Sequence, residues 1–264
     1  ACTPMGAACT LHDRDDAAAL APSVRSAALY SPHELRVESR DAVPRLAAWL
    51  AEEHGVRFHH GEEVLDVDGT RVRTSRRTLH ATRVVLCPGA ELHGVAARWL
   101  ARHRLRLTQL QMLRVRPEPG FRLPAAVMGD LSLVRYAGFA SLPEALALRA
   151  QLEAEVPRSL EHGVHLIVVQ SADGTLVVGD SHHDHASPWP FASDEVDRLI
   201  LGHLRETVEL ERCEVTERWT GVYPVGHDAD VLVEADDALR VVVVTGGNGA
   251  STAFGIAEDV IDTW

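Results

Sequence analysis

The chain has little cysteine: four in 264 residues, at positions 2, 9, 87 and 213. No two of them make a Cys-x-x-Cys pair, and their density is far below that of a disulfide scaffold. This excludes a small disulfide-stapled fold and points to a reducing, cytoplasmic setting. Cys87 ends an apolar strand and reads as a small buried hydrophobe, not a nucleophile. No apolar run approaches ~18 residues, so no membrane-spanning helix is expected. The stretch Ala1 to Cys9 has neither the basic region nor the long apolar core of a secretion signal. Positive charge is also scarce: 26 Lys and Arg face 38 Asp and Glu, for a net charge of -12. A field of that sign disfavours nucleic acid and anionic membrane as partners. An anionic substrate would have to be met by a local cluster of cations. Neither an internal repeat nor a low-complexity linker interrupts the chain.

What is present is most informative at the end. Four consecutive valines, Val241 to Val244, read as a strand buried on both faces of a parallel sheet. Gly246, Gly247 and Gly249 let the backbone turn sharply and approach a ligand without a Cβ in the way. Ser251 or Thr252 is expected to cap the helix that follows. Strand, glycine turn and helix N-terminus together present bare N–H groups and a positive dipole end to an electron-rich group.

Upstream, Asp13 to Leu20 reads as a short helix ended near Pro22, and Tyr30 to Glu38 as loop and short strand. Ser39 caps a helix to His54 that carries Val43, Leu46, Ala47 and Leu50 on one face and stops at Gly55. Strands are expected at Val56 to His60, Glu63 to Asp68, Arg71 to Ser75, Thr78 to Ala81 and, buried, Val84 to Ala90. From about Leu105 to Trp219 the pattern becomes that of an antiparallel sheet with flanking helices. Its strands are Leu107–Arg116, Leu131–Tyr136, His165–Gln170 and Thr175–Gly179, the last two joined by a tight Asp173-Gly174 turn. Ser193 to Leu210 is an amphipathic helix with Val196, Leu199, Ile200 and Leu204 inward.

These pieces, in this order, resemble the FAD-dependent oxidoreductases of the glycine oxidase/D-amino-acid oxidase superfamily. The resemblance rests on the Gly55–Ala90 segment, the Thr175–Asp180 hairpin, Arg218-Trp-Thr-Gly-Val-Tyr-Pro224 and the terminal Gly246-Gly-Asn-Gly. A narrower resemblance is to the subfamily associated with phosphonate catabolism. It rests on Ser-Pro-His-Glu-Leu-Arg-Val-Glu (31–38), Leu-Gln-Met-Leu-Arg (110–114), Val-Gln-Ser (169–171) and Gly-Asp-Ser-His (179–182).

The fold implied is α/β with an α+β substrate domain: an incomplete Rossmann-type FAD-binding domain interrupted by an antiparallel-sheet substrate domain. The expected division is 1–38 as N-terminal segment and substrate-side loop, 39–97 as the first part of the FAD domain, 98–218 as the substrate domain and 219–264 as the C-terminal part of the FAD domain. The implied activity is oxidation of the C–N bond of a small amine by hydride transfer to flavin, with oxygen as electron acceptor. Exposed sheet edge and apolar surface where an absent segment would pack are expected to give aggregation or a homo-oligomer. FAD is the implied cofactor. Its isoalloxazine end would lie against Gly246, Gly247, Asn248, Gly249, Ala250, Ser251 and Thr252. Gly89 and Ala90 would abut the cofactor, and Val64 would offer its backbone to adenine.

Two departures from the pattern matter. The Gly-x-Gly-x-x-Gly that holds the pyrophosphate in this family is absent, so the chain is expected to be truncated at its N-terminus and to bind FAD weakly. The Arg of Trp-x-Gly-x-Arg-Pro, which in the family clamps a substrate carboxylate, is Tyr223 here. This argues against a plain α-amino acid and suits an amine with a different anionic group, such as an amino-phosphonate. Arg36, Arg114 and Arg135, the last two on strands, are the candidate cations for it, with Tyr136, His165, His182 and Tyr223 as further substrate-side residues. No catalytic residue is assigned.

Two rival readings remain. One is a non-catalytic remnant that binds a small anion. The other is a metallo-hydrolase built on Asp180-Ser-His-His-Asp-His185, a near match to His-x-His-x-Asp-His. Its remaining ligands have no evident source, so the cluster is expected to be a polar loop without metal, with His182 facing the substrate.

Overall fold

A computed structural model describes residues 9–21, 23–33, 35–226 and 231–264. Cys2 and Glu34 lie outside the described residues. The chain begins with a ribbon of β1 (Thr10–His12) and β2 (Ala28–Tyr30) around helix α1 (Arg14–Leu20). Asp13 caps α1, its carboxylate accepting the Asp16 amide at 2.9 Å. Helix α2 (Ser39–His54) fills the predicted span. Gly55, at φ +64°, supplies the left-handed residue that ends it. Its apolar face is uncovered: Val43, Leu46 and Trp49 are exposed, and none of its residues is buried.

Val56 to His60 joins no ladder among the described residues, contrary to the expected strand, and Val56 and Phe58 are exposed. Strands β3 (Val64–Asp68), β4 (Arg71–Thr74) and β5 (Thr78–His80) form an antiparallel sheet that turns at Gly69. Strand β6 (Val84–Leu86) is shorter and more open than expected. Val85 is exposed, and so is Cys87, which the sequence reading placed in the core. Helix α3 (Ala97–Leu100) and the long strand β7 (Arg106–Pro117) follow, then β8 (Val127–Met128).

Leu131 to Tyr136 is not a strand. It is a 3-10 turn and loop leading into α4 (Ala137–Ala140). Asp130 Oδ1 accepts the Leu131 amide at 2.8 Å. Leu131 and Val134, three apart, are buried with Leu152 while Leu133 is exposed. That is helical spacing, not alternation. Helices α5 (Pro143–Glu155) and α6 (Pro157–Glu161) precede the hairpin of β9 (Ile167–Gln170) and β10 (Leu176–Gly179). The remaining elements are β11 (His183–His185), α7 (Asp194–Thr207), β12 (Cys213–Val225), β13 (Val231–Ala235), β14 (Leu239–Val244) and α8 (Gly249–Asp262).

The chain divides into two compact units. The first takes the described residues up to Leu46, Leu110–His183 and Pro190–Gly221. Its sheet has the order β11-β7-β10-β9-β8, with β12 also on β7. Leu113, Val115, Val168, Leu176 and Val178 from one face of this sheet pack on Val196, Ile200 and Leu204 of α7. The α7 stripe is the one its sequence predicts, with Leu199 partly buried beside it.

The second unit takes Ala47–Gln109, Asp184–Trp189 and Val222–Trp264, without the undescribed 227–230. Here β14 runs parallel to β6 and antiparallel to β13. Val241, Val242 and Val243 are all buried, as the valine run implies. Arg240 on the same strand is buried too. Its guanidinium donates to the Thr263 hydroxyl at 2.8 Å and lies 4.7 Å from the centre of the Trp264 ring, which satisfies a cation otherwise costly to bury.

Candidate functional site

In the second unit, β14 ends at Val244 and α8 begins at Gly249. Gly247 between them has φ +72°. Gly246, Gly247, Asn248 and Ala250 are exposed. Asn248 occupies the N-cap position but its side chain makes no capping bond. Ser251 and Thr252 do not cap the helix as expected. They lie within it, and both hydroxyls donate back to the Asn248 carbonyl at 2.9 Å. The N-terminus of α8 therefore carries no cap from the Asn248 side chain, and the helix dipole ends at this exposed turn.

Tyr223 on β12 packs on this loop. A Cβ placed on Gly247 would come 3.0 Å from Tyr223 Cζ. The turn after β6 carries Gly89 at φ +59°, where a Cβ would meet nothing within 4 Å. Ala90 beside it is partly buried. Val64 opens β3 and is exposed.

In the first unit, four of the substrate-side candidates come together. Burial and the positive charge of Arg135 act on the same three groups, His165, Asp180 and His182. Tyr136 meets the His165 ring edge-on at 5.5 Å between centroids, and the His165 and His182 rings stack at 4.9 Å. His165 Nε2 lies 3.1 Å from Asp180 Oδ1, and His182 Nε2 lies 3.8 Å from Asp180 Oδ2. The first contact is close but off the hydrogen-bond direction, so the buried Oδ1 takes no hydrogen bond. On the far side of each ring, His165 Nδ1 meets Ser132 Oγ at 3.1 Å and His182 Nδ1 meets the Gly163 carbonyl at 3.0 Å.

Burial pushes His165 down to about 3 and His182 down to about 4, and Arg135 adds to both shifts. Burial pushes the Asp180 carboxyl up to about 7, against the opposing pull of Arg135. Both imidazoles are therefore neutral at pH 7, and Asp180 is near its midpoint.

Arg114 and Arg36 lie elsewhere. Arg114 is buried and donates to Thr175 Oγ1 at 2.8 Å and Ser171 Oγ at 3.3 Å, with Glu217 at 3.5 Å, so it braces the β9–β10 hairpin. Arg36 pairs with Glu38 at 2.9 Å. Arg135 sits on the loop before α4 and not on a strand. Sequence reasoning missed Asp180 as the partner of His165, and Ser132 and Gly163 as their supports. The strand spacing held the signal: Gly179 pairs with Ile167, so the residues flanking the pair are neighbours too.

Three of the quoted motifs are also neighbours. Met112, Leu113 and Arg114 pair with Gly179, Val178 and Val177, and Val169 pairs with Val177. Gln111 has a mainly structural role. Its amide donates to the Ser193 carbonyl at 2.8 Å and to Asp197, fixing the start of α7.

Comparison with known proteins agrees with this architecture. The family model described as "DAO: FAD dependent oxidoreductase" matches residues 2–263. Among solved structures, glycine oxidase from Geobacillus kaustophilus superposes with a TM-score of 0.69 at 18% identity, covering 99% of this chain and 65% of that one. Glycine oxidase from Bacillus cereus gives 0.67 at 16% identity, covering 94% of this chain and 61% of that one. L-Proline dehydrogenase from P. horikoshii gives 0.70 at 14% identity, covering 94% and 62%. At such identities the likeness is one of fold. The chain spans less than two thirds of the length of each of these structures. No curated protein matches it.

Proposed function

The chain belongs to the family of FAD-dependent oxidoreductases, and from that premise we propose that it serves the oxidation of a small amine bearing an acidic group. The observation that carries the reading is the β14–Gly246-Gly-Asn-Gly–α8 turn: an open helix N-terminus, without a side-chain cap, on a glycine loop against Tyr223. The residues fit one end of a flavin. A ring approaching the loop would meet backbone N–H groups and no Cβ at Gly246 or Gly247.

The chemistry a bound FAD supplies is acceptance of a hydride from the C–H beside the amine nitrogen. The chain's own part is electrostatic. Gly247, Asn248, Gly249 and Ala250 aim N–H groups where negative charge develops at the pyrimidine end, and the α8 dipole adds to them. Gly89 and Ala90 flank the sheet on the cofactor side, and Val64 offers backbone groups to adenine.

On the substrate side, Arg135 is the cation we assign to the acidic group, with Tyr136, His165 and His182 around it. A planar guanidinium fork suits a carboxylate or a phosphonate oxyanion. Tyr223, where the family pattern has Arg, favours an amino-phosphonate over a plain α-amino acid. Glycine oxidase and L-proline dehydrogenase are named for small amine substrates, which agrees with the class proposed. We assign the exposed rows of α2 (Val43, Leu46, Trp49) and of α8 (Phe254, 78% exposed) to contacts with a further segment carrying the pyrophosphate half of the site.

The test uses protein expressed from the full coding sequence. The reading requires a flavin absorption band that bleaches anaerobically on adding an amino-phosphonate or related acidic amine, with peroxide formed when oxygen is admitted. A colourless protein that binds anions without flavin would establish a binding domain instead.

A further inference from the structure

We propose that His165, Asp180 and His182 form a binding site for one divalent transition-metal ion, of which Zn²⁺ is the best fit. One ligand atom from each residue lies within 4.8 Å of the other two. Two imidazole nitrogens and a carboxylate are a borderline donor set, suited to Zn²⁺ and its first-row neighbours and poorly suited to Mg²⁺. Bond lengths near 2.0–2.1 Å place tetrahedral donors about 3.3 Å apart. His165 Nε2 lies 3.1 Å from Asp180 Oδ1 and His182 Nε2 lies 3.8 Å from Asp180 Oδ2, so each imidazole is near that spacing from one of the two carboxylate oxygens.

Two further observations point to an ion, and a third shows how firmly His182 is held. First, both rings are oriented from behind. His165 Nδ1 faces Ser132 Oγ, and His182 Nδ1 faces the Gly163 carbonyl, so each ring presents Nε2 to the carboxylate. This is the arrangement that fixes tautomer and direction in metal-ligating histidines. Second, Asp180 Oδ1 is buried without a hydrogen bond although it faces an imidazole nitrogen, and an ion would satisfy it. Third, the support on Gly163 leaves little slack. That residue has φ +56°, and a Cβ there would come 2.8 Å from the His182 carbonyl oxygen, so His182 is held by a close backbone contact.

The ligands come from two adjoining segments, His165 just before β9 and Asp180 with His182 just after β10, so the hairpin register assembles them. Three protein ligands leave an open coordination position. That position would take water or an oxyanion. The inference does not depend on flavin binding, and its test reads metal alone.

Protein stripped with a chelator is titrated with Co²⁺ and with Zn²⁺, following the Co²⁺ ligand-field bands and the bound metal by elemental analysis. The expected result is one ion per chain, Zn²⁺ displacing Co²⁺, and no competition from Mg²⁺. His165→Ala and Asp180→Asn should abolish the bands. Ser132→Ala should weaken binding about tenfold through loss of ring orientation. His203→Ala, a histidine outside the cluster, should leave the titration unchanged. Circular dichroism checks that each variant folds. If His165→Ala does not, His182→Asn is read in its place. Wild-type protein that takes up less than one ion per chain overturns the proposal, as does binding that survives loss of a ligand in a folded variant.

Discussion

The ring of Tyr223 lies against the backbone of Gly247, so close that a Cβ at position 247 would fall 3.0–3.1 Å from three atoms of the phenol. One is the residue that departs from the family's Trp-x-Gly-x-Arg-Pro pattern. The other is the turning point of the loop assigned to the flavin.

That contact gives the first prediction. Gly247→Ala meets two costs: a positive φ, about 1–2 kcal/mol for a residue with a Cβ, and the clash with Tyr223. Removing the ring as well relieves only the second. Chemical denaturation of Gly247→Ala, Tyr223→Ala and the double variant should give a favourable coupling, with the double variant more stable than the sum of the single changes implies. The Gly247→Ala protein should also bind FAD at least about tenfold more weakly, seen in a fluorescence titration, since 1.4 kcal/mol is a factor of ten. Additive stability effects would show that the ring and the loop do not press on each other.

Arg135 gives the second. If its guanidinium takes the acidic group of the substrate, Arg135→Gln removes a charge-assisted hydrogen bond worth about 1.5–3 kcal/mol. KM for an acidic amine should rise by about ten- to a hundredfold with kcat little changed. An amine of similar size without the acid should show no change. Steady-state kinetics on the two substrates separate this from a general loss of structure, which would affect both.

Much of the fold was legible because its signals were local. The α7 stripe of Val196, Ile200 and Leu204 and the Asp173-Gly174 turn are periodicity and turn chemistry, and both stand in the structure. Leu131 to Tyr136 misled because a short apolar run suits strand and helical turn alike. Burial of Leu131 and Val134 against Leu152, a residue on a later helix, decided it. Cys87 misled for the opposite reason: a strand-end residue is buried only if something covers it, and here it is exposed. The grouping of His165 with Asp180 was hidden because fifteen residues and a hairpin separate them. Only the register Ile167 to Gly179 puts them side by side.

The core of the first unit supplies a third prediction. Ile200 on α7 is fully buried among sheet residues such as Leu113, Val168 and Val178. Ile200→Ala leaves a cavity under the whole sheet and should cost about 2–5 kcal/mol. Leu146→Ala, at a residue 58% exposed on α5, should change stability by less than about 0.5 kcal/mol. Urea denaturation of the two variants side by side checks the contrast, and equal losses would mean that α7 is not part of the cooperative core.

The hairpin supplies the last, and it concerns pH. Asp173 Oδ1 accepts from the Thr175 hydroxyl at 2.6 Å and from the Thr175 amide at 2.9 Å. The hydroxyl bond, chiefly, holds the Asp173 carboxyl below its ordinary value. A carboxylate whose pKa is lowered in the folded state stabilises it fully above the unfolded value, about 3.9. That contribution is lost as pH falls through the lower folded value. Thr175 also receives Arg114, so the turn, its threonine and the buried cation act as one network. Asp173→Asn should therefore lower stability at pH 7 by about 1 kcal/mol, and the difference from wild type should shrink as pH drops below 4 and vanish where Asp173 is protonated. Thermal melts of both proteins across that window measure it. A gap that stays constant down to acid pH would show that the carboxylate charge plays no part in holding the turn.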